Sequence, residues 1–159
     1  MHILPYLEYR IHSSKSPEEI CAILGRVTKS LKETAYRPYI EFLGEVHPFE
    51  FEIMENICFR NDYLPMISGK VWTDQNESII DIKMNLHPSV YKFTVFGMGM
   101  IGCFSFITVL AAITGELEVT PPTAFILVIA FIAFHQLMIW TGFYLPAKKS
   151  IQKLEKLLG

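Results

Sequence analysis

The sequence lacks positive charge where it is most apolar. Residues 93–147 contain no lysine or arginine and only two acids, Glu116 and Glu118. Residues 1–90, in contrast, hold 9 Lys or Arg against 13 Asp or Glu, hence a net charge of −4. This asymmetry divides the 159-residue chain into a membrane part and a mildly acidic soluble part. Because the soluble part has no basic stripe, duplex nucleic acid is not an expected partner.

Cysteines are few, and leader and catalytic signals are missing. The three cysteines are widely spaced and match neither a zinc pattern nor a disulfide framework, which indicates free thiols in a reducing compartment. The first residues lack a basic stretch followed by an apolar run, so we expect no signal peptide and a cytosolic N-terminal part. We find no Gly-rich phosphate loop, no Ser-His-Asp signature and no His-Glu-x-x-His helix. The sequence therefore predicts a protein that is not an enzyme and has no metal or cofactor.

Two uncharged runs of 22 residues each, 93–114 and 124–145, dominate the second half of the chain. About 20 apolar residues suffice to cross the hydrocarbon core of a bilayer. The alternative is a pair of buried helices in a soluble protein. A 90-residue domain is too small to cover two helices that are apolar on every face. We therefore predict a transmembrane helical hairpin over residues 91–146.

The flanking charges predict how this hairpin is oriented. Lys92 precedes the first run, four lysines lie within residues 148–156, and the connection between the runs is acidic. Because cationic residues are retained on the cytosolic side, we expect both termini in the cytosol. Pro121 and Pro122 suit the first turn of the second helix. Residues 147–159 have one apolar and one lysine-rich face, which predicts an amphipathic helix, either interfacial or an extension of the second span.

The first run carries small residues at a near three-residue step: Gly99, Gly102, Ser105 and Thr108. Small residues let helix backbones approach closely. They could pack against the second span of the same chain, or they could form a self-association face. Because two helices alone make a thin bundle, we favour a homo-oligomer in the lipid bilayer.

A polar pair, His135 and Gln136, lies near the middle of the second run. Such a pair is costly at membrane depth unless it finds partners. One interpretation is a hydrogen bond to Ser105 or Thr108 of the first span. The other is the polar lining of a pore formed by several chains.

The soluble part, residues 1–90, has the pattern of an α+β domain with the order β-α-β-β-β-β. Ser16 followed by Pro17 and two acids is a strong helix start, and we expect that helix over residues 17–32. Alternating apolar and polar residues predict strands within residues 2–12, 39–47, 49–53, 66–73 and 79–86. Short turns between consecutive strands predict a curled antiparallel sheet, or a small barrel, with one helix against it. Acids at alternating strand positions indicate a solvated face: Glu41, Glu45, Glu50, Glu52 and Glu55.

One group of residues in this domain is a candidate ligand site: Arg60, Asn61, Tyr63, Lys70 and Trp72. Guanidinium, amide and aromatic groups together can hold a phosphate and stack a base. The alternative is an ordinary turn with an arginine at an interface.

Residues 51–70 and 80–88, followed by two spans, resemble a group of small bacterial proteins. Their pattern is F-x-I…Y-R-N-S-F-L-P-x-I-x-G and then I-x-I-x-M-R-L-H-P. Asp62 stands where the pattern has serine, and Asn85 stands where it has arginine. The loss of that arginine weakens any phosphate site built on it.

The architecture is also similar to the two-span, β-rich effectors of bacterial anti-phage systems of the Panoptes type. That resemblance implies a β domain that binds a cyclic dinucleotide and a hairpin that disrupts the membrane when the ligand state changes. It predicts an effector in the bacterial inner membrane, acting in anti-phage defence. The alternative is a non-catalytic accessory or scaffold subunit of a larger membrane complex.

Overall fold

A mixed six-stranded sheet and three continuous helices make up the described part of the chain. The computed structural model describes residues 5–30, 40–58, 61–75, 77–115 and 121–159. The strands are β1 Tyr6–Ser13, β2 Thr28–Lys29, β3 Phe42–His47, β4 Glu50–Glu55, β5 Pro65–Asp74 and β6 Glu77–Leu86. The helices are α1 Pro17–Val27, α2 Pro88–Thr114, α3 Pro121–Ile139 and α4 Leu145–Leu158. A π-helical segment, Trp140–Tyr144, joins α3 to α4, so these two run on as one helix.

The sheet is open and mixed, with the strand order β1-β6-β5-β4-β3-β2. All neighbours pair antiparallel except β2, which pairs parallel with β3. The predictions of a purely antiparallel sheet and of a closed barrel are therefore wrong. α1 carries the chain from β1, at one edge, across the sheet to β2 at the other edge. Helices cover the inner face of the sheet, which in a closed barrel would face the strands on the opposite side.

Helix α1 begins as predicted and ends five residues earlier than predicted. The Ser16 hydroxyl accepts a hydrogen bond from the Glu19 amide, and the Glu19 carboxylate accepts one from the Ser16 amide, both at 3.2 Å. This reciprocal cap satisfies two donors at the helix start. The helix ends at Val27 because Thr28 is extended and pairs with Phe42. The tertiary pairing of β2 overrides the helical periodicity.

Alternation along the strands places one set of side chains in the core. Ile80, Ile82, Met84 and Leu86 are buried, as their two-residue spacing predicts. Two helices cover this inner face, where the sequence predicts one. The buried residues of α1 and α4 join the same hydrophobic cluster: Ile20, Leu24, Ala147, Leu154 and Leu158. The C-terminal segment is thus an extension of the second apolar helix, packed against the sheet.

Gly69 lies in regular register between β4 and β6, opposite Phe51 and Ile82. A Cβ at Gly69 would lie 2.1 Å from Cζ of the Phe51 ring. The ring therefore occupies the space that a side chain would need. The structure thus has a close approach of the Phe51 ring at this glycine.

Side chains from the β1 end of the sheet fasten the end of α4. The Ser13 hydroxyl donates to the carbonyl of Leu158. The Lys15 ammonium donates to the carbonyls of Leu158 at 3.3 Å and Gly159 at 2.6 Å. These donors satisfy carbonyls that have no partner inside the helix. The last turn of α4 is therefore fixed to the sheet.

Candidate functional site

The exposed face of the sheet forms a broad groove across β3, β4, β5 and β6. Its volume is about 1160 Å³, which is slightly above the range of about 300–1,000 Å³ typical of small-ligand pockets. Its charged lining residues on β4 and β5 alternate with residues of the core, and three core residues, Phe51, Ile53 and Val71, also border it. Among the lining residues, the following offer a charge or an aromatic ring to a ligand: Glu45, Glu50, Glu52, Lys70, Trp72 and Lys83.

Trp72 offers an aromatic ring to this groove and is 43% exposed. The Arg10 guanidinium lies 6.0 Å from the centroid of the ring. Its Nε donates to Oδ1 of Asp81 at 2.6 Å, and this hydrogen bond, with the charge of Asp81, raises the pKa of Arg10. The paired guanidinium holds the indole in place, and the exposed ring surface is suited to stacking a planar ligand.

A second ring, Phe49, stands at the turn between β3 and β4. It is 50% exposed, and its backbone has a φ of 65°. The Val71 amide donates to the Phe49 carbonyl at 2.8 Å, which fixes the turn against β5. Bulky residues rarely adopt this left-handed conformation, and such positions cluster at binding sites. Phe49 is therefore a candidate binding residue that the sequence did not reveal.

Among the described residues, the groove lining is mainly acidic: it has four carboxylates, and its basic part consists of only two lysines. Glu45 lies directly opposite Glu52 in the register of β3 and β4, an arrangement that is destabilising in an isolated sheet. On the same face, Lys70 lies between Glu50 on β4 and Asp81 on β6. The carboxylates can accept hydrogen bonds from amino groups of a ligand, and the ammonium can bind an anionic group.

The structure does not bring the predicted phosphate and base cluster together. Lys70 and Trp72 lie on the groove. Arg60 lies outside the described residues. Asn61 and Tyr63 lie elsewhere, at the connection between β4 and β5. The binding role of these residues stays a prediction, and only Lys70 and Trp72 are placed for it on the groove.

Asn61 and Tyr63 contact the π-helical segment of the second apolar helix. Nδ2 of Asn61 donates to the Gly142 carbonyl at 2.8 Å, and its Oδ1 accepts from the Tyr63 amide at 3.0 Å. A Cβ at Gly142 would lie 2.8 Å from Cβ of Tyr63, so the close contact requires glycine. π-Helical segments are often found at functional sites.

Glu55 is the main residue that the sequence prediction places wrongly. Its strand position predicts a solvated side chain, but that side chain is only 2% exposed. Its carboxylate accepts a charged hydrogen bond from Lys153, lies 3.3 Å from the Ser150 hydroxyl, and lies 3.8 Å from the Lys149 ammonium. One buried carboxylate therefore binds three side chains of α4.

The two-residue spacing of buried residues along β4, taken without regard to charge, indicates that Glu55 is buried. Phe51 and Ile53 are buried, and Glu55 continues the same two-residue spacing. Its partners are lysines of a helix that the sequence alone does not place against the sheet. Spacing thus predicts the burial of Glu55, whereas its pairing follows only from the tertiary fold.

Two helices are long and apolar enough to cross a membrane: Pro88–Thr114 and Phe125–Leu158. Only 6% of the most apolar stretch of each helix is buried. These two stretches therefore lie outside the core of the described fold, and their apolar side chains point outward, whereas the C-terminal part of the second helix packs in the core. A surface of this kind suits lipid or a protein partner.

The glycines of α2 face away from its neighbour α3. A Cβ added at Gly97, Gly99 or Gly102 would meet nothing within 4 Å. These glycines therefore do not pack against the second apolar helix of the same chain. The surface over Gly99 and Gly102 is exposed. Self-association through it stays a prediction.

The predicted polar residues of the hairpin divide between two surfaces. Ser105, Thr108 and His135 are partly buried, whereas Gln136 is exposed. The Thr108 hydroxyl donates to the Phe104 carbonyl of its own helix at 2.8 Å. Among the described residues, no hydrogen bond joins His135 or Gln136 to the first span, so the expected interhelical bond is not formed. The pore role stays a prediction.

No protein-family model matches the chain, and no curated protein or solved structure matches it significantly. The function implied by the resemblance to two-span effectors therefore stays a prediction. Within the described ranges, no group of three or more His, Cys, Asp or Glu side chains is arranged to hold a metal ion.

Proposed function

We propose that the protein is a membrane effector. A cytosolic sheet domain binds a small ligand and thereby controls a two-helix hairpin that permeabilises the membrane. One observation carries this proposal: the second apolar helix runs on, without a break, into the hydrophobic core of the sheet domain. A simple anchor has no need of this connection. Both membrane helices can therefore respond to the state of the sheet.

The first helix is connected to the sheet just as directly. β6 ends at Leu86 and α2 begins at Pro88, with only His87 between them. Nδ1 of His87 accepts a hydrogen bond from the Ser89 amide at 3.3 Å, which caps the helix at the sheet. Two short connections leave little room for independent motion of sheet and hairpin.

The ligand we propose is a cyclic dinucleotide, bound in the groove. Trp72 and Phe49 provide exposed rings on which bases can stack, and Lys70 can bind a phosphate. The opposed carboxylates of Glu45 and Glu52 can accept hydrogen bonds from the amino groups of bases. Such a ligand satisfies both the acidic and the basic part of the groove.

The output we propose is oligomerisation of the hairpin in the bacterial inner membrane. The open surface over Gly99 and Gly102 lets a second chain approach closely. His135 and Gln136 then provide polar groups to a pathway between chains. The lysines that flank the hairpin favour both termini in the cytosol. The setting we propose is anti-phage defence.

Ligand binding can be tested with the fluorescence of Trp72. The chain has two tryptophans, and Trp140→Phe leaves Trp72 as the only one. Titration of this variant with cyclic dinucleotides should quench the emission, and Lys70→Ala should weaken binding by about tenfold. Lys156→Ala, at an exposed position of α4 outside the groove, is the control. The absence of any change with every cyclic dinucleotide contradicts this ligand class.

The membrane output can be tested in cells with a membrane-potential dye. Induced expression should depolarise the membrane in one of two states, either with added cyclic dinucleotide or without it. Replacing His135 and Gln136 by leucine should abolish depolarisation if they line the pathway, whereas an anchor should tolerate the change. The absence of depolarisation in all conditions contradicts the proposal.

A second candidate function is a non-catalytic accessory subunit of a larger membrane complex. It is favoured by the large apolar surface of both helices, which a different membrane protein can cover equally well. Its mark would be co-purification with another protein at a fixed stoichiometry.

A further inference from the structure

Two residues at the connection between β4 and β5 contact the second membrane helix. Glu55, the last residue of β4, binds α4. Asn61, near the start of β5, binds the π-helical segment. These two contacts, which we call the Glu55 fastening and the Asn61 fastening, join this connection to one continuous helix. They lie on either side of the start of α4.

The Glu55 fastening is the stronger in chemical terms. A carboxylate that is 2% exposed requires compensation for its lost hydration, and Lys153 and Ser150 provide it. Removing one partner of such a pair leaves an uncompensated group inside the interface. The pair therefore specifies one docked position of α4.

The Asn61 fastening is the more specific in shape. Its amide reaches a carbonyl of the π-helical segment, where the irregular backbone presents the Gly142 oxygen outward. The neighbouring Tyr63 leaves no room for a side chain at Gly142. This contact fixes the helix at the point where it leaves the apolar surface for the sheet.

The Glu55 fastening lies at the end of β4, and the Asn61 fastening lies four residues before β5; these two strands form the floor of the groove. Along β4, Glu50 and Glu52 line the groove, and Glu55 at the end of the strand binds the helix. Along β5, Lys70 lines the groove, and the residues just before the strand bind the helix. A displacement of β4 against β5 would thus act on both fastenings together.

We propose that Glu55 and Asn61 form an autoinhibitory clamp. With both engaged, the second membrane helix is held against the sheet of its own chain. Release of the clamp frees the helix to repack with other chains. This regulation rests on the proposed function, but the clamp itself is measurable without it.

The first measurement is hydrogen exchange of the backbone in residues 145–158 of the full-length protein in nanodiscs. Glu55→Gln and Asn61→Ala should each accelerate exchange by about tenfold or more, because each removes a fastening. Glu77→Gln, at an exposed position of β6 outside the groove, is the control and should match the wild type. Unchanged exchange in both clamp variants overturns the clamp. If Glu55→Gln does not fold, Asn61→Ala carries the test.

The second measurement is dye leakage from liposomes that contain the same proteins. Without ligand, the clamp variants should leak faster than the wild type and Glu77→Gln. The double exchange of Glu55→Lys with Lys153→Glu should restore slow leakage. If the wild type leaks in one ligand state but the clamp variants behave as the wild type does, the inhibitory role is overturned and the proposed function stands. If exchange accelerates but no protein leaks in any condition, the proposed function is overturned together with the regulatory role.

Discussion

At the scale of single residues, Gly69 shows how a missing side chain supports the core. The Phe51 ring fills the space above it, so both residues are held by the same contact. Gly69→Ala forces the ring away and should destabilise the soluble domain by about 1–3 kcal/mol. Denaturant unfolding of the detergent-solubilised protein, followed by circular dichroism, measures this.

Gly25 provides the matched control for that substitution. It lies in α1, and a Cβ there would meet nothing within 4 Å. Gly25→Ala should stabilise the domain by about 0.5–1 kcal/mol, because alanine favours a helix. A similar effect of the two substitutions would contradict the packing described around Phe51.

The pair of Tyr9 and Glu155 gives the fold a dependence on alkaline pH. The Tyr9 hydroxyl donates to the Glu155 carboxylate, and this hydrogen bond, with the nearby charge, raises the pKa of Tyr9 above its ordinary value. The stabilisation is present in full below the unfolded-state pKa of tyrosine and is lost as the pH rises through the higher folded-state pKa.

Tyr9→Phe should therefore reduce stability at neutral pH and have little effect at strongly alkaline pH. Thermal unfolding of both proteins across that range provides the comparison. An equal loss at every pH would mean that the hydroxyl contributes only through packing.

At the scale of elements, α4 packs the C-terminal part of the second apolar helix against the sheet. Leu154 is fully buried between this helix and the sheet, whereas Gln152 faces solvent. Leu154→Ala should cost about 2–5 kcal/mol of stability, and Gln152→Ala should stay within about 0.5 kcal/mol. An interfacial helix that left the sheet for the membrane would show no such difference in the unfolding of the soluble domain.

The elements also show how far the sequence can predict this molecule. Two-residue alternation predicts the buried side of β6, and the cap at Ser16 predicts the start of α1. The parallel strand β2 is only two residues long, too short to leave a periodic signal. Its pairing depends on the path of α1 across the sheet, which no local pattern contains. The sheet is therefore mixed and open, not antiparallel or barrel-like.

The candidate sites are predicted less well, for a similar reason. Residues close in sequence, such as Asn61 and Lys70, are predicted to form one cluster. In the structure Asn61 reaches Gly142, and Lys70 lies on the groove. A turn and the strand after it can present side chains to different faces of a sheet. Only the tertiary fold shows that one set binds a helix and the other faces the groove.

At the scale of the whole molecule, the proposed membrane topology can be tested by labelling single cysteines from outside the cell. In a variant without native cysteines, Glu118→Cys should react with a membrane-impermeant thiol reagent added outside the cell. Gln152→Cys should react only after the membrane is opened, because the proposed topology places this position on the cytosolic side. Reaction of both cysteines from outside would contradict a hairpin with cytosolic termini.

The most direct test of the central claim is release of a small dye from liposomes that contain the purified, full-length protein. We predict release that differs by about tenfold or more between the ligand-free and the cyclic-dinucleotide-bound protein, because β4 lines the groove and its last residue, Glu55, binds the second apolar helix. Trp72→Ala should remove the difference. Release no faster than from protein-free liposomes in either state, with the protein confirmed in the bilayer, would contradict the account.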